Sequence, residues 1–146
     1  MAQNGMVHQS GQRSVLLAPT TITTAVTGVT TPVVKGLSGA YYLVVHCIFT
    51  YGSGGTTAKV WVQTSVDGGS TWTDIMSFAH TTASLSRYSA VVATTALAAV
   101  SALSDGALAD NTIVSGLLGD RIRLKYTTTG TYGGGTTVAL YSIAKG

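Results

Sequence analysis

"TAKVWVQTSVDGGSTWTDIMSFA", residues 57–79, is the stretch that decides the fold. Before "DGG", Ala58, Val60, Val62 and Val66 fall on one side of an extended chain, and Lys59, Trp61, Gln63 and Ser65 on the other. A period of two is the signature of a strand with one buried face. "TWTDIMSFA" (71–79) reads as a second strand. Between them, Asp67 is placed to accept hydrogen bonds from the backbone of the turn. Gly68 and Gly69 can take positive φ without steric cost, and Trp72 can fold over the turn as a lid. The expectation is a structural turn made by Asp67, Gly68, Gly69 and Trp72, joining two antiparallel strands.

The pattern Ser-x-Asp-x-Gly-x-Thr-Trp within this stretch is similar to the Asp box that sialidase-like propellers repeat. A propeller needs several blades of about 40–50 residues each. The chain has 146 residues and carries the motif once. The propeller is therefore excluded, and the hairpin chemistry explains the motif without a substrate.

Working outward, "AYYLVVHCIFTY" (40–51) is the strongest strand. Tyr41, Leu43, Val45, Cys47 and Phe49 line one face; Tyr42, Val44, His46 and Ile48 line the other. Both faces are largely apolar, which predicts cover on both sides, by a second sheet and by a loop or neighbouring subunit. "TITTAVTGV" (21–29), "SRYSAVVATT" (86–95) and "TTVALYSIA" (136–144) are further strands, rich in β-branched residues. In "GDRIRLKY" (119–126), Ile122, Leu124 and Tyr126 face in, and Arg121, Arg123 and Lys125 face out. The Ala-rich segment 96–111 predicts an irregular connection containing a short strand. "TYGSGGTTA" (50–58) and "TYGGGTTV" (131–138) repeat one glycine-rich tip, each expected to join two strands as a hairpin. The sum is an all-β fold: an antiparallel jelly-roll-like or Greek-key β-sandwich of about eight strands. Residues 1–18 are expected to form an N-terminal arm, and residues 19–146 a single sandwich domain. Val15, Leu16 and Leu17 would anchor the arm on a neighbour.

Charged residues are 9 % of the chain, and Glu is absent. Ordinary soluble domains carry roughly 25 %. Such a surface predicts extensive cover by partners. The net charge of +3 reflects few acids, not many bases. Nucleic-acid binders cluster Lys and Arg. Here the nearest cluster is the row Arg121, Arg123 and Lys125, which is expected to be a wet strand face or a contact with a partner subunit. Nucleic acid is thus not an expected partner. No run of about 18 apolar residues occurs, so no spanning helix is expected, and assembly in a cytoplasm follows.

Chemistry is poorly provided for. Cys47 has no cysteine to pair with, and adjacent His46 points to the opposite face of a strand. His8, His46, His80 and Cys47 show no metal-ligand spacing. Asp105, Asp110 and Asp120 lack calcium-loop spacing. The glycine-rich tips lack the phosphate-loop pattern. No catalytic, cofactor or metal residues are expected, and the chain is not expected to be an enzyme.

"VWVQTSVDGGSTWTDI" (60–75) followed by "GLLGDRIRLKYTTTGTY" (116–132) resembles small β-sandwich virion proteins of tailed bacteriophages, in which such a hairpin and such a strand recur. The resemblance spans roughly residues 40–78 and 111–145 and carries no catalytic residue. It implies a capsid decoration or cement protein, homotrimeric, on the outer capsid surface and bound to the major capsid protein. A tail or neck role is the alternative. From a different class comes a carbohydrate-binding module or adhesin, stacking sugars on exposed Trp61 and Tyr side chains.

Overall fold

The computed structural model describes residues 5–7, by their backbone, and residues 10–146. It is a β-sandwich of two main sheets with a two-stranded third, antiparallel but for one edge pair. The strands are β1 (Gly5–Val7), β2 (Arg13–Thr21), β3 (Val26–Thr30), β4 (Val33–Lys35), β5 (Tyr42–Thr50), β6 (Ser53–Gly54), β7 (Thr57–Ser65), β8 (Thr73–His80), β9 (Leu85–Val92), β10 (Arg121–Thr129), β11 (Tyr132–Gly133) and β12 (Thr137–Lys145). The first sheet has the order β1-β4-β10-β7-β8, with β3 also on β10; the second has the order β2-β12-β5-β9.

One long ribbon forms the spine. Residues 42–65 pair antiparallel with residues 121–145, from Lys145↔Tyr42 in the second sheet to Arg121↔Ser65 in the first. The register changes by a single residue along the way. That change falls at the two glycine-rich tips, which pair as β6 and β11 through Tyr132↔Gly54 and Gly133↔Ser53. The repeated tips are therefore not hairpins. Each carries the chain from one sheet to the other, and the two zip together at the corner. Close backbone approach explains their glycines. A Cβ on Gly52 would lie 2.2 Å from the Gly134 carbonyl oxygen. Gly55 has φ +71°, and a Cβ there would lie 2.3 Å from the Tyr132 ring.

The core lies between the sheets. Leu43, Val45, Cys47 and Phe49 of β5 meet Val60 and Val62 of β7, Met76 and Phe78 of β8, and Ile122 and Leu124 of β10. All are buried, as their alternation predicts. Two expectations fail at the N-terminal side. The strand read across residues 21–29 is two strands, because the chain leaves the second sheet after Thr21 and joins the first at Val26, with Ile22 buried between them. The arm boundary at residue 18 falls inside β2. This strand pairs with β12 from Arg13↔Ile143 to Thr21↔Thr137, and Leu16 is a core residue.

The connection 93–120 is irregular. The short strand expected within residues 96–111 does not form; the one isolated bridge of the connection, Met76↔Ile113, lies just beyond that segment. The connection still covers the outer edge of β8: Ser77 N donates to Thr112 O at 3.0 Å, and Val114 N to Ile75 O at 2.8 Å. An edge strand capped in this way offers fewer free backbone groups to other chains.

Candidate functional site

The turn at residues 65–72 is built as its residues dictate. Asp67 accepts bonds from Ser65 Oγ (2.9 Å), Thr71 N (2.9 Å) and Thr71 Oγ1 (2.7 Å). Gly69 N donates to Ser65 Oγ at 2.9 Å. Gly68 and Gly69 have φ of +76° and +93°. These bonds, led by that from Thr71 N–H, pull the Asp67 carboxyl down to about 2. Trp72 lies over the turn, its Nε1–H donating to Gly69 O at 3.1 Å. The Asp67 carboxylate is turned wholly onto its own loop.

The basic row is also engaged within the chain. Arg121 bonds Asp120 at 3.0 Å and donates to Gly68 O at 3.0 Å. Arg123 donates to Gln63 Oε1 at 2.9 Å and lies 4.4 Å over the Trp72 ring. Lys125 Nζ lies 2.8 Å from Asp105 Oδ1, and this bond leads the fall of the Asp105 pKa below the usual carboxylate range. The three cations brace the outer face of the first sheet.

Arg123 and Lys125 reach, through Gln63 and Asp105, a network centred on Asp74, which sequence reasoning missed. Its carboxylate is buried and accepts five bonds: from Gln63 Nε2, Ser104 Oγ and the backbone N–H groups of Gly106, Ala107 and Leu108, all within 2.9–3.1 Å. It is a clasp for the 93–120 connection. Trp61 joins it from β7, donating Nε1–H to Leu108 O at 3.1 Å. Trp61 is 7 % exposed, so it cannot stack on a sugar; that part of the carbohydrate-binding expectation is overturned. A cleft of about 280 Å³ lies beneath the connection, lined by hydroxyls such as Thr64, Ser65, Thr71 and Thr73, by Leu97 and Leu103, and by the fully bonded Asp74. No His, Lys or Cys lines it.

A second pair joins residues far apart in sequence. His80 Nε2 lies 3.4 Å from Cys47 Sγ, and Arg87 Nη2 lies 3.3 Å from His80 Nδ1. A guanidinium can only donate. Nδ1 therefore accepts, and Nε2 carries the hydrogen that points at sulfur. Burial, then the Arg87 charge, pushes the imidazole down to about 4; burial pushes the thiol up to about 12. Both groups stay neutral at physiological pH, the opposite of an activated cysteine. Among the described residues no three His, Cys, Asp or Glu side chains converge as a metal site; His8 lies outside them.

What remains open is surface. The outer face of the second sheet presents one row across four strands: Val15 of β2, Tyr141 of β12, His46 of β5 and Tyr88 of β9. The next row holds Arg13, Ile143, Val44 and Ala90. His46 and Tyr88 stack at 4.2 Å, and Arg13 lies 5.0 Å from the Tyr141 ring centre. A groove of about 450 Å³ runs over this face. Tyr88 is 72 % exposed and Ile143 38 %. No loop among the described residues lines it; the cover expected for the second face of β5 is not supplied by these residues. Of the expected anchor, Leu16 turns into the core and Leu17 packs against it, while Val15 joins the open face.

Comparison with protein-family models, with curated proteins and with solved structures finds no match.

Proposed function

We propose that this chain is a non-catalytic structural protein of a virion, a decoration or cement protein bound to the outside of a tailed-phage capsid. The observation that carries the reading is the open apolar and aromatic outer face of the second sheet in a chain with 9 % charged residues. Contiguous exposed apolar surface marks contact with a partner. The two sequence stretches that resemble phage virion sandwiches add the identity of the assembly, and both are structural: one is the braced turn, the other is β10. The mechanism is mass action. A protein that binds the assembled shell and not its dissociated subunits stabilises the shell, and many modest contacts act together.

The test is sedimentation of the purified protein with purified, emptied phage heads. The decoration reading expects saturable binding, in proportion to the number of capsid subunits, and a raised temperature of head disruption. Binding only at the neck or tail vertex would favour the alternative virion role. Binding to glycans with none to heads would favour a sugar-binding module, which would have to use Tyr88 and Tyr141.

A further inference from the structure

We propose that two copies of this chain pair edge to edge through β9, about a two-fold axis at Tyr88, so that their four-stranded second sheets become one continuous sheet. The pairing goes beyond the decoration reading; only its consequence for capsid binding rests on that reading.

β9 carries a row of free backbone groups. Ala93 N donates to Tyr41 O at 2.7 Å, in the register that pairs Val92 with Tyr42. Bonding alternates along an antiparallel pair, so Leu85, Arg87, Ser89 and Val91 bond β5. Ser86, Tyr88, Ala90 and Val92 turn their N–H and C=O groups the other way. Gly116 N takes the Val92 carbonyl at 3.0 Å. Among the described residues, nothing takes the N–H and C=O groups of Ser86, Tyr88 and Ala90. The other edges are guarded, as edges of soluble proteins are. The connection 93–120 covers β8. β1 and β3 have three and five residues. β2 contains Pro19 and pairs with two register shifts. β9 runs for eight residues with no proline and no shift of register. Its one charge, Arg87, turns inward to Ala79 O.

The free groups are main chain, so their partner is an extended strand, and the row itself selects a second β9. A two-fold axis at Tyr88 sets Ser86 against Ala90 of the second copy, Tyr88 against Tyr88, and Ala90 against Ser86. Every free N–H of the row then meets a free C=O, and none is left over at either end. An unrelated strand would have to bring a matching row; the second copy carries it by symmetry. Like charges directly opposite each other disfavour a strand pair. Here Ser86, Tyr88 and Ala90 are uncharged, and Arg87 falls opposite Ser89. Joining β9 to β2 would run on as a filament, but β2 is the guarded edge. Pairing β9 with itself closes after two copies. The axis stands perpendicular to the sheet, so both open faces look the same way. A capsid then meets two grooves at once, and the second contact forms at high effective concentration.

Two kinds of variant test it. Ser86→Pro and Ala90→Pro each remove an N–H that points away from β5, so neither breaks a bond within the chain. Tyr88→Asp and Tyr88→Lys each set like charges face to face on the axis. Light scattering after size exclusion, at micromolar concentration, should give twice the 14.9 kDa chain mass for the parent and the single mass for each variant. Circular dichroism identifies any variant that has merely unfolded. Mixing Tyr88→Asp with Tyr88→Lys is decisive: opposite charges meet only if residue 88 faces itself, so a one-to-one dimer returns. By hydrogen exchange, the Tyr88 and Ala90 amides should be slow in the parent and fast in Ser86→Pro. A monomeric parent, a trimer, a dimer that survives both proline variants, or a mixture that stays monomeric would overturn the proposal. So would a monomeric parent whose β9 amides gain protection only on heads, which gives the edge to a capsid strand. Head binding is measured separately. Ser86→Pro keeps the groove and should bind heads more weakly than the parent; equal binding would overturn the two-groove contact. A parent dimer that ignores heads sinks the decoration reading and leaves the pairing standing.

Discussion

Gln63 and Asp74 face each other across β7 and β8, and the Gln63 amide donates to the Asp74 carboxylate at 2.9 Å. The same amide nitrogen lies 2.7 Å from Asp105 Oδ1, while its carbonyl oxygen accepts from Arg123. One buried glutamine thus links the sheet, the basic row and the crossing loop.

Removing the carboxylate should release the loop. Asp74→Ala leaves the Ser104 hydroxyl and the backbone N–H groups of residues 106–108 without their acceptor. The expected cost is about 3 kcal/mol or more, on the scale of several lost bonds to a charged acceptor. Denaturant unfolding measures the loss. Hydrogen exchange should show residues 104–116 unprotected before the rest of the sandwich. Unchanged protection there would mean that the edge pairing to β8, and not Asp74, holds the connection.

Asp67 makes a different contribution, because it is exposed. Its carboxyl, at about 2 in the fold, sits below the ordinary value of 3.8. The folded turn therefore favours the ionised form. Its contribution is present above the unfolded value and is lost as pH falls through that value toward 2. Asp67→Ala should lower the melting temperature at neutral pH and flatten its decline between pH 4 and pH 2. A melting curve that keeps its acid slope in the variant would assign that slope to another carboxylate.

The alternation of Val60 with Trp61 and of Leu43 with Val44 made the strands legible, since each sheet has one face toward the core. The "DGG" turn was legible because its geometry is local. Three features were not. The two glycine-rich tips looked like hairpins because composition marks a bend but not which sheet the chain enters next. β2 looked like an arm because its apolar run, Val15 to Leu17, is short, and its pairing partner lies more than a hundred residues away in β12. Asp74 looked like any polar residue of the alternation, since the loop that buries it contacts it only in the fold. The period-two reading did carry one further signal. His80 shares the inward parity of Phe78 and Met76, which places it toward Cys47.

That pair gives the protein an acid sensitivity in a milder range. His80 is held neutral, its pKa lowered from 6.5 to about 4 by burial and by Arg87. Between these values the unfolded chain binds a proton that the folded chain refuses, so stability falls as pH drops from about 6.5 to about 4 and is at its plateau above. His80→Gln, which titrates no proton, should flatten the curve in this window and leave the Asp67 window below it. In the folded protein at neutral pH, Cys47 should resist thiol reagents until denaturant is added. Rapid modification of the native protein would show that the Cys47–His80 contact opens.

The N-terminal segment separates an arm from a core strand by direct test. Deleting residues 1–18 removes Arg13 to Ala18 from β2, takes Leu16 out of the core and bares one edge of β12. The remaining chain would expose ladder groups that β2 now satisfies, and exposed strand edges recruit other chains. The expected outcome is loss of the cooperative melting transition or aggregation, not a folded domain with unchanged stability. A point change gives the graded form of the same test. Leu16→Ala, at a position 5 % exposed, should cost about 2–5 kcal/mol, the range for truncating a buried leucine. Val15→Ala, on the open outer face, should cost less and instead weaken assembly if that face is a contact. A 19–146 fragment that melts like the full chain would show that β2 is dispensable and that residues 1–18 act as an arm after all.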